Sequence, residues 1–367
     1  MRVPIIDVRG RNAVLAAEIG EVVARIVSAG DYILGSAVLA FEASIRERLQ
    51  VRHAAGLNSG TDALFLTLKA MGVGPGDEVI TVPNTFVATV AAARHTGAAV
   101  RLVDVDWDEN IDPAAVAAGI TPRTRAVIAV HLRGRPARML ELKAIAEPHG
   151  IAVLEDASQA FGATLHDSPV GSLGLAGCFS LHPQKILGAC GDAGLFTSND
   201  PALADRIRLL RNHGLQNRDS VALWGSNSRL DSIQAGILSL KLSRIDAVID
   251  SHRRTSRIYN EALRGLPLEL PQEGPGERCV FYHYSIMAAD RDGLLASLQD
   301  AGVDARIHYP ILIHQQLAAA DELLLMDDLP VAERQAKRQL SLPIFEGISD
   351  EQIDYVVANV RRHFGAR

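Results

Sequence analysis

From about residue 55 to residue 240, short runs of β-branched and aliphatic residues alternate with Ala/Leu-rich windows, and this alternation constrains the fold more than any other feature. EVITVP (78–83), AVRLVDVD (99–106), AVIAVHL (126–132) and IAVLEDA (151–157) are nearly all apolar. A strand buried on both faces has no solvent side on which polar residues could alternate, so such runs read as a parallel sheet covered by helices. GPGDE ahead of the first run and TPRT ahead of the third are turn signals. The class is therefore α/β, with a mostly parallel central sheet.

The texture changes near residue 245. A long helical stretch, SRIDAVIDSHRRTSRIYNEAL, leads through the Pro/Gly-rich GLPLELPQEGPGE to FYHYSIMAA, read as a strand, and to two helical windows, DGLLASLQDAG and SDEQIDYVVANVRRHF. This predicts a large domain over 1–245 and a smaller α+β domain over 246–367. With 367 residues, 48% of them hydrophobic, the chain is long enough for two cores. A net charge of −6 gives no electrostatic footprint for nucleic acid. No apolar run reaches membrane-spanning length, and the N-terminus does not read as a signal peptide. Three cysteines without CxxC spacing point to a reducing cytoplasm and to no metal site. The expectation is a soluble cytoplasmic protein that binds neither nucleic acid nor membrane.

Of 37 basic residues only five are lysines: Lys69, Lys143, Lys185, Lys241 and Lys337. Arginine stays protonated at physiological pH and is no amine nucleophile, so amine chemistry has five candidates. Four lie in Ala/Leu/Glu-rich windows and read as charges on helix surfaces. Lys185 alone lies among Gly, Pro and Ser, in SLHPQKILGACGDAG (180–194).

Two upstream motifs give that lysine a context. NSGTDAL (58–64) opens a helix that Ser59 or Thr61 caps. Its unpaired N–H groups suit a phosphate and Gly60 lets the backbone come close, although a plain N-cap uses the same residues. EDASQAFGA (155–163) ends the run IAVL, and ligands of open α/β sheets are met at the carboxyl ends of strands, here at Asp156 and Gln159, while Glu155 reads as a helix cap. A carboxylate facing a pyridine nitrogen keeps it protonated and makes the ring an electron sink, as a pyridoxal cofactor needs. A Schiff-base amine must first lose its proton, which favours a partly buried site. With Ser180 as a phosphate hydroxyl and Gly188, Gly191 and Gly194 allowing tight turns, Lys185 reads as that amine.

NSGTDAL, PNTFVAT, the DVD of RLVDVDWDENIDP, VHLRGRPA, EDASQAFGA, FSLHPQKILGACGDAG, GSNSRLDSIQAGIL, HYPILIHQQ and LSLPIFEGISDEQI resemble, in order and spacing, the DegT/DnrJ/EryC1/StrS sugar aminotransferases. The resemblance implies a fold-type I enzyme dependent on pyridoxal 5'-phosphate and working as a homodimer with shared active sites. It gives Lys185 the Schiff base and proton shuttle, Asp156 the ring nitrogen, Gln159 the ring oxygen and Phe86 the stacking face. Gly60, Thr61 and Ser180 match phosphate contacts, and Asn227 matches an amide reaching the phosphate from the other subunit. His182, Arg229, His308, Tyr309 and His314 fall where the substrate is held, whereas Arg133, Arg135 and Arg138 of RGRPAR read as a solvated turn.

The activity implied is transfer of an amino group from L-glutamate to a keto group of a nucleotide-linked deoxysugar, a dTDP-3-keto-6-deoxyhexose. The GD of GDAG resembles enzymes that aminate C3, where GE is commoner among C4 enzymes. Alternatives are a C4-aminating sugar enzyme, and a keto-cyclitol (scyllo-inosose-type) aminotransferase using L-glutamine. A cofactor-binding regulator or a dehydratase-like relative is a further rival; relatives that dehydrate carry histidine in place of the lysine. A nicotinamide-dependent dehydrogenase ranks last, because no GxGxxG follows a strand.

Overall fold

The computed structural model describes residues 1–320, 323–325 and 329–366. Eight described strands form one sheet in the order His53–Leu57, Gly194–Ser198, Ala176–Ser180, Ala152–Asp156, Thr124–Val130, Glu78–Thr81, Ala99–Leu102 and Leu323–Leu325. Gly194–Ser198 runs antiparallel to both of its neighbours, and the remaining pairings are parallel. Ser180 and Gly194 are register partners, so loop 181–193, which carries Lys185, leaves and rejoins the sheet at one point.

The apolar runs have a direct packing explanation. Successive strand residues enter opposite cores: Val79, Ile128 and Leu154 pack with the helices Gly60–Ala70 and Pro201–Leu210, while Ile80, Val127 and Val153 pack with Met139 and Leu142 from the helix Met139–Ala146. Each strand ends before its run does, because the last residues of the run already form the loop at the strand's carboxyl end. His53–Leu57, Ala176–Ser180 and Gly194–Ser198 were not legible as strands. His53–Leu57 and Ala176–Ser180 are built largely of Gly, Ala and Ser, which give little β signal by themselves, and in Gly194–Ser198 only Leu195, Phe196 and Thr197 stand between a glycine and a serine, too short a run to read as a strand.

A second, antiparallel sheet joins Leu268–Glu269, Tyr284–Ala288 and Gln339–Leu342. Its core takes Leu294 and Leu298 from the helix Arg291–Asp300, Val356 and Val360 from the helix Asp350–His363, and Val3 from the N-terminus. The helix Ile245–Ala262 begins in a core of the large sheet, through Val248 and Ile249, and ends in this one, through Tyr259. We propose that the two domains divide at the start of that helix. Among the described residues no helix is long and apolar enough to cross a membrane.

Candidate active site

A cavity of about 330 Å³ opens at the carboxyl ends of the central strands. Gly60, Thr61, Phe86, Asp156, Gln159, Ser180, His182, Lys185, His308 and Tyr309 all line it. The structure thus gathers ten of the thirteen residues predicted from sequence. Asn227 and Arg229 lie outside it, exposed or half-exposed, and bond to each other through Arg229 Nε and Asn227 Oδ1 at 3.0 Å. His314 faces Glu333 at 3.1 Å and is also outside.

The phosphate-type corner is built by close backbone approach. Ser59 caps the helix Gly60–Ala70 by accepting from Asp62 N at 3.1 Å. A Cβ on Gly60 would meet the Ser180 backbone at 2.9 Å, and one on Gly194 would meet Ser59 O at 2.1 Å. Only glycine lets this helix start sit against the strand end carrying Ser180. The helix start, with its positive dipole end, therefore faces into the cavity beside two hydroxyls, Thr61 and Ser180.

Asp156 is 5% exposed and fully oriented: Oδ2 accepts from Thr89 Oγ1 at 2.7 Å and Oδ1 from Ser158 N at 3.2 Å. Thr89 has one hydroxyl proton and donates it to the carboxylate, so Thr85, 2.7 Å away, donates to Thr89. Thr89 was missed from sequence, although it lies within PNTFVAT one helical turn after Phe86. Thr89→Val keeps the shape and removes a hydrogen bond to a charged group. It is expected to slow turnover about tenfold and to lower stability by about 1–3 kcal/mol, as steady-state kinetics beside a melting curve would show.

Lys185 stands half-buried in the cavity wall; burial pushes its ammonium down to about 8, against the opposing pull of Asp156. Its loop is clamped by two cations. Arg11 donates to the carbonyls of Lys185 (3.0 Å) and Pro183, and Lys241 Nζ donates to Gly188 O (2.8 Å) and Asn12 Oδ1 (2.7 Å). Lys241 is only 7% exposed, so its reading as a surface charge was wrong. The helical phase carried the signal, since Leu238 precedes Lys241 by three residues and is also buried.

Two further readings are corrected. Glu155 caps no helix: its carboxylate accepts from the amides of Gly171, Leu173 and Gly174 and pairs with buried His131 at 2.9 Å. RGRPAR is no solvated turn. Arg133 is 9% exposed, pairs with Glu109 and donates to His308 O, and its own N–H is taken by Gln159 Oε1 at 2.7 Å. This ties Gln159 to the segment carrying His308 and Tyr309. His283, stacked on His308 with ring centroids 4.0 Å apart, also lines the cavity. Burial first, then nearby positive charge, holds both imidazoles neutral, His308 down to about 4.

A partly buried amine with a lowered pKa, an oriented carboxylate and a glycine-built anion corner, set at the carboxyl edge of a mostly parallel sheet, define a pyridoxal-phosphate-dependent transferase. The residues fit that cofactor by shape as well as by type, since the close approach at Gly60 and Gly194 leaves the helix start open to a phosphate. Residues 14–361 match the DegT/DnrJ/EryC1/StrS aminotransferase family, and the chain belongs to that family. It is 40% identical to a pleiotropic regulatory protein of Geobacillus stearothermophilus (99% of this chain, 100% of the relative). It is 41% identical to a UDP-N-acetyl-3-dehydro-alpha-D-glucosamine 3-aminotransferase of Acidithiobacillus ferrooxidans (98% and 97%). It is 38% identical to a dTDP-3-amino-3,4,6-trideoxy-alpha-D-glucose transaminase of Streptomyces venezuelae (98% and 96%). The crystal structure of S. venezuelae DesV in complex with a ketimine intermediate superposes with a TM-score of 0.95 at 38% identity, covering 98% of each chain. The chain is a pyridoxal-phosphate-dependent sugar aminotransferase.

Proposed function

We propose that the chain moves an amino group from L-glutamate to the C3 keto group of a nucleotide-linked deoxysugar, a dTDP-3-keto-6-deoxyhexose. The observation that carries this is the cavity itself, where Lys185 and Asp156 meet beside two neutral imidazoles. The S. venezuelae relative, named for a dTDP-3-amino sugar, supports the nucleotide and the carbon, and the Acidithiobacillus relative, named as a 3-aminotransferase, supports the carbon.

Bound pyridoxal phosphate supplies an aldehyde for the amine and a ring that withdraws electrons. Gly60, Thr61 and Ser180 would hold its phosphate, Phe86 and Gln159 its ring, and Asp156 its ring nitrogen. Lys185 Nζ, with a pKa near 8, accepts the α-proton of the donor and supplies a proton to the carbon that receives nitrogen. His283 and His308, being uncharged, are suited to sugar hydroxyls rather than to an anion.

The protein loaded with pyridoxal phosphate should lose its visible band on addition of L-glutamate. The band should return fastest with a dTDP-3-keto-6-deoxyhexose. Faster return with a UDP-linked 3-keto sugar, a 4-keto sugar or scyllo-inosose would reassign the acceptor, and a colourless protein would count against the whole reading.

We also propose a homodimer in which Asn227 and Arg229 serve the partner's cavity. Both stand outside their own, on a loop whose Trp224 is 86% exposed. In an isolated heterodimer of one Lys185→Ala chain and one Asn227→Ala chain, one site collects both defects and the other none, so about half of the normal activity per dimer should return. Activity no higher than the parent homodimers would place Asn227 in cis or outside the site.

A further inference from the structure

Lys185 is gripped through its backbone, and its amine makes no hydrogen bond among the described residues. What its amine meets is a ring: Nζ lies 4.7 Å from the centroid of Tyr282. The other titratable groups of the cavity around it are Asp156 from the central sheet, His182 and Asp192 from the lysine loop, and His283, His308 and Tyr309. Neither His283 nor His308 carries charge, and among the described residues the ring that the Lys185 ammonium faces at close range is Tyr282.

The ring is firmly placed. Val280 N donates to Gly134 O at 2.9 Å, and Gly134, at φ +88°, lies so near that a Cβ there would meet Tyr282 N at 2.9 Å. Tyr282 is itself buried among Leu181, Ile186 and Leu187 of the lysine loop. The segment was read from sequence as part of a strand; the strand begins only at Tyr284, which leaves Tyr282 and His283 as a cavity wall.

We infer that Tyr282 is a positioning residue for the Lys185 amine, seating it on the ring face whenever it is not bonded to the cofactor. The face acts, not the hydroxyl, which bonds to no described residue. This rests on the reading of Lys185 as the point of covalent attachment. The sign of the effect follows from the two opposing forces on the amine. Burial disfavours the ammonium, whereas the negative face of an aromatic ring favours it. Removing the ring while keeping the site apolar therefore lowers the pKa of Lys185 further, and the amine becomes reactive at lower pH.

The test uses the purified apoenzyme and pyridoxal phosphate, following the rate of covalent uptake against pH by visible absorbance and by mass after borohydride reduction. Tyr282→Leu should move the midpoint of the profile down by roughly half to one and a half pH units, the range that a cation–π contact allows. Tyr282→Phe should leave the midpoint in place. An unmoved midpoint in Tyr282→Leu overturns the inference. So does an upward shift, which would mean that the ring only excludes water, and so does an equal shift in Tyr282→Phe, which would assign the effect to the hydroxyl. Should Tyr282→Leu not fold by circular dichroism, Tyr282→Met carries the same expectation. Lys185→Ala run in parallel keeps the two readings apart: covalent uptake with an unchanged profile in that variant would refute the attachment site and not the role of Tyr282.

Discussion

Lys185→Ala should leave a folded protein with no covalently held cofactor and with turnover reduced by roughly a thousandfold or more, since it removes both the nucleophile and the proton carrier. The fold should survive for a specific reason. Arg11 and Lys241 grip the carbonyls of Pro183, Lys185 and Gly188, and none of these bonds uses the lost side chain. The glycine-built corner at Gly60 and Ser180 is likewise untouched, so non-covalent cofactor binding should persist. Borohydride reduction followed by intact-mass measurement checks this: the unmutated chain gains a pyridoxyl adduct and the variant does not. An adduct in the variant, or turnover near the normal rate, would remove Lys185 from its role.

The second large effect is expected at Asp156. Asp156→Asn preserves volume, and its amide can still meet Ser158 N through its oxygen, but it carries no charge to hold a ring nitrogen protonated. The half reaction with L-glutamate should fall by about two orders of magnitude or more while the cofactor still attaches to Lys185. Thr89 sharpens the expectation. Its hydroxyl donates to Asp156 Oδ2 at 2.7 Å, and an asparagine nitrogen turned toward it would offer a second donor where the Thr89 proton needs an acceptor. Single-turnover absorbance with glutamate is the measurement, and an unchanged rate would mean that another group faces the ring nitrogen.

The sequence disclosed those parts of the site that depend on residue type in a fixed local setting. Lys185 was visible because it is a lysine without a helix around it, and Asp156 because it ends an apolar run at the edge where α/β sheets meet ligands. Groups brought in by tertiary packing were hidden. Tyr282 and His283 sit in a stretch rich in aromatic residues that reads as strand, and packing of Val280 and Tyr282 on Gly134 sets them in the cavity wall instead. Lys241 and Arg133 carry the residue types of solvated surfaces, yet each is buried because it satisfies backbone carbonyls that would otherwise go without partners. Strands made of small residues escaped for the converse reason. Ala176–Ser180 is held by its neighbours in the sheet rather than by its own propensity.

The pairing of Ser180 with Gly194 bears on how the site assembles. Because the sheet shuts loop 181–193 at its base, bringing the lysine to the sheet edge means closing only a short stretch of chain, and the entropy of closure grows with loop length. His308 must come from more than a hundred residues further along the chain, and contacts of that separation form slowly. The lysine loop is therefore expected to take shape together with the central strands, and the two imidazoles to arrive only when the small sheet docks. A chain caught between these stages holds its amine in place but open to water, with the ammonium not yet destabilised, so the reactivity of Lys185 reports on docking of the small sheet rather than on folding of the large one.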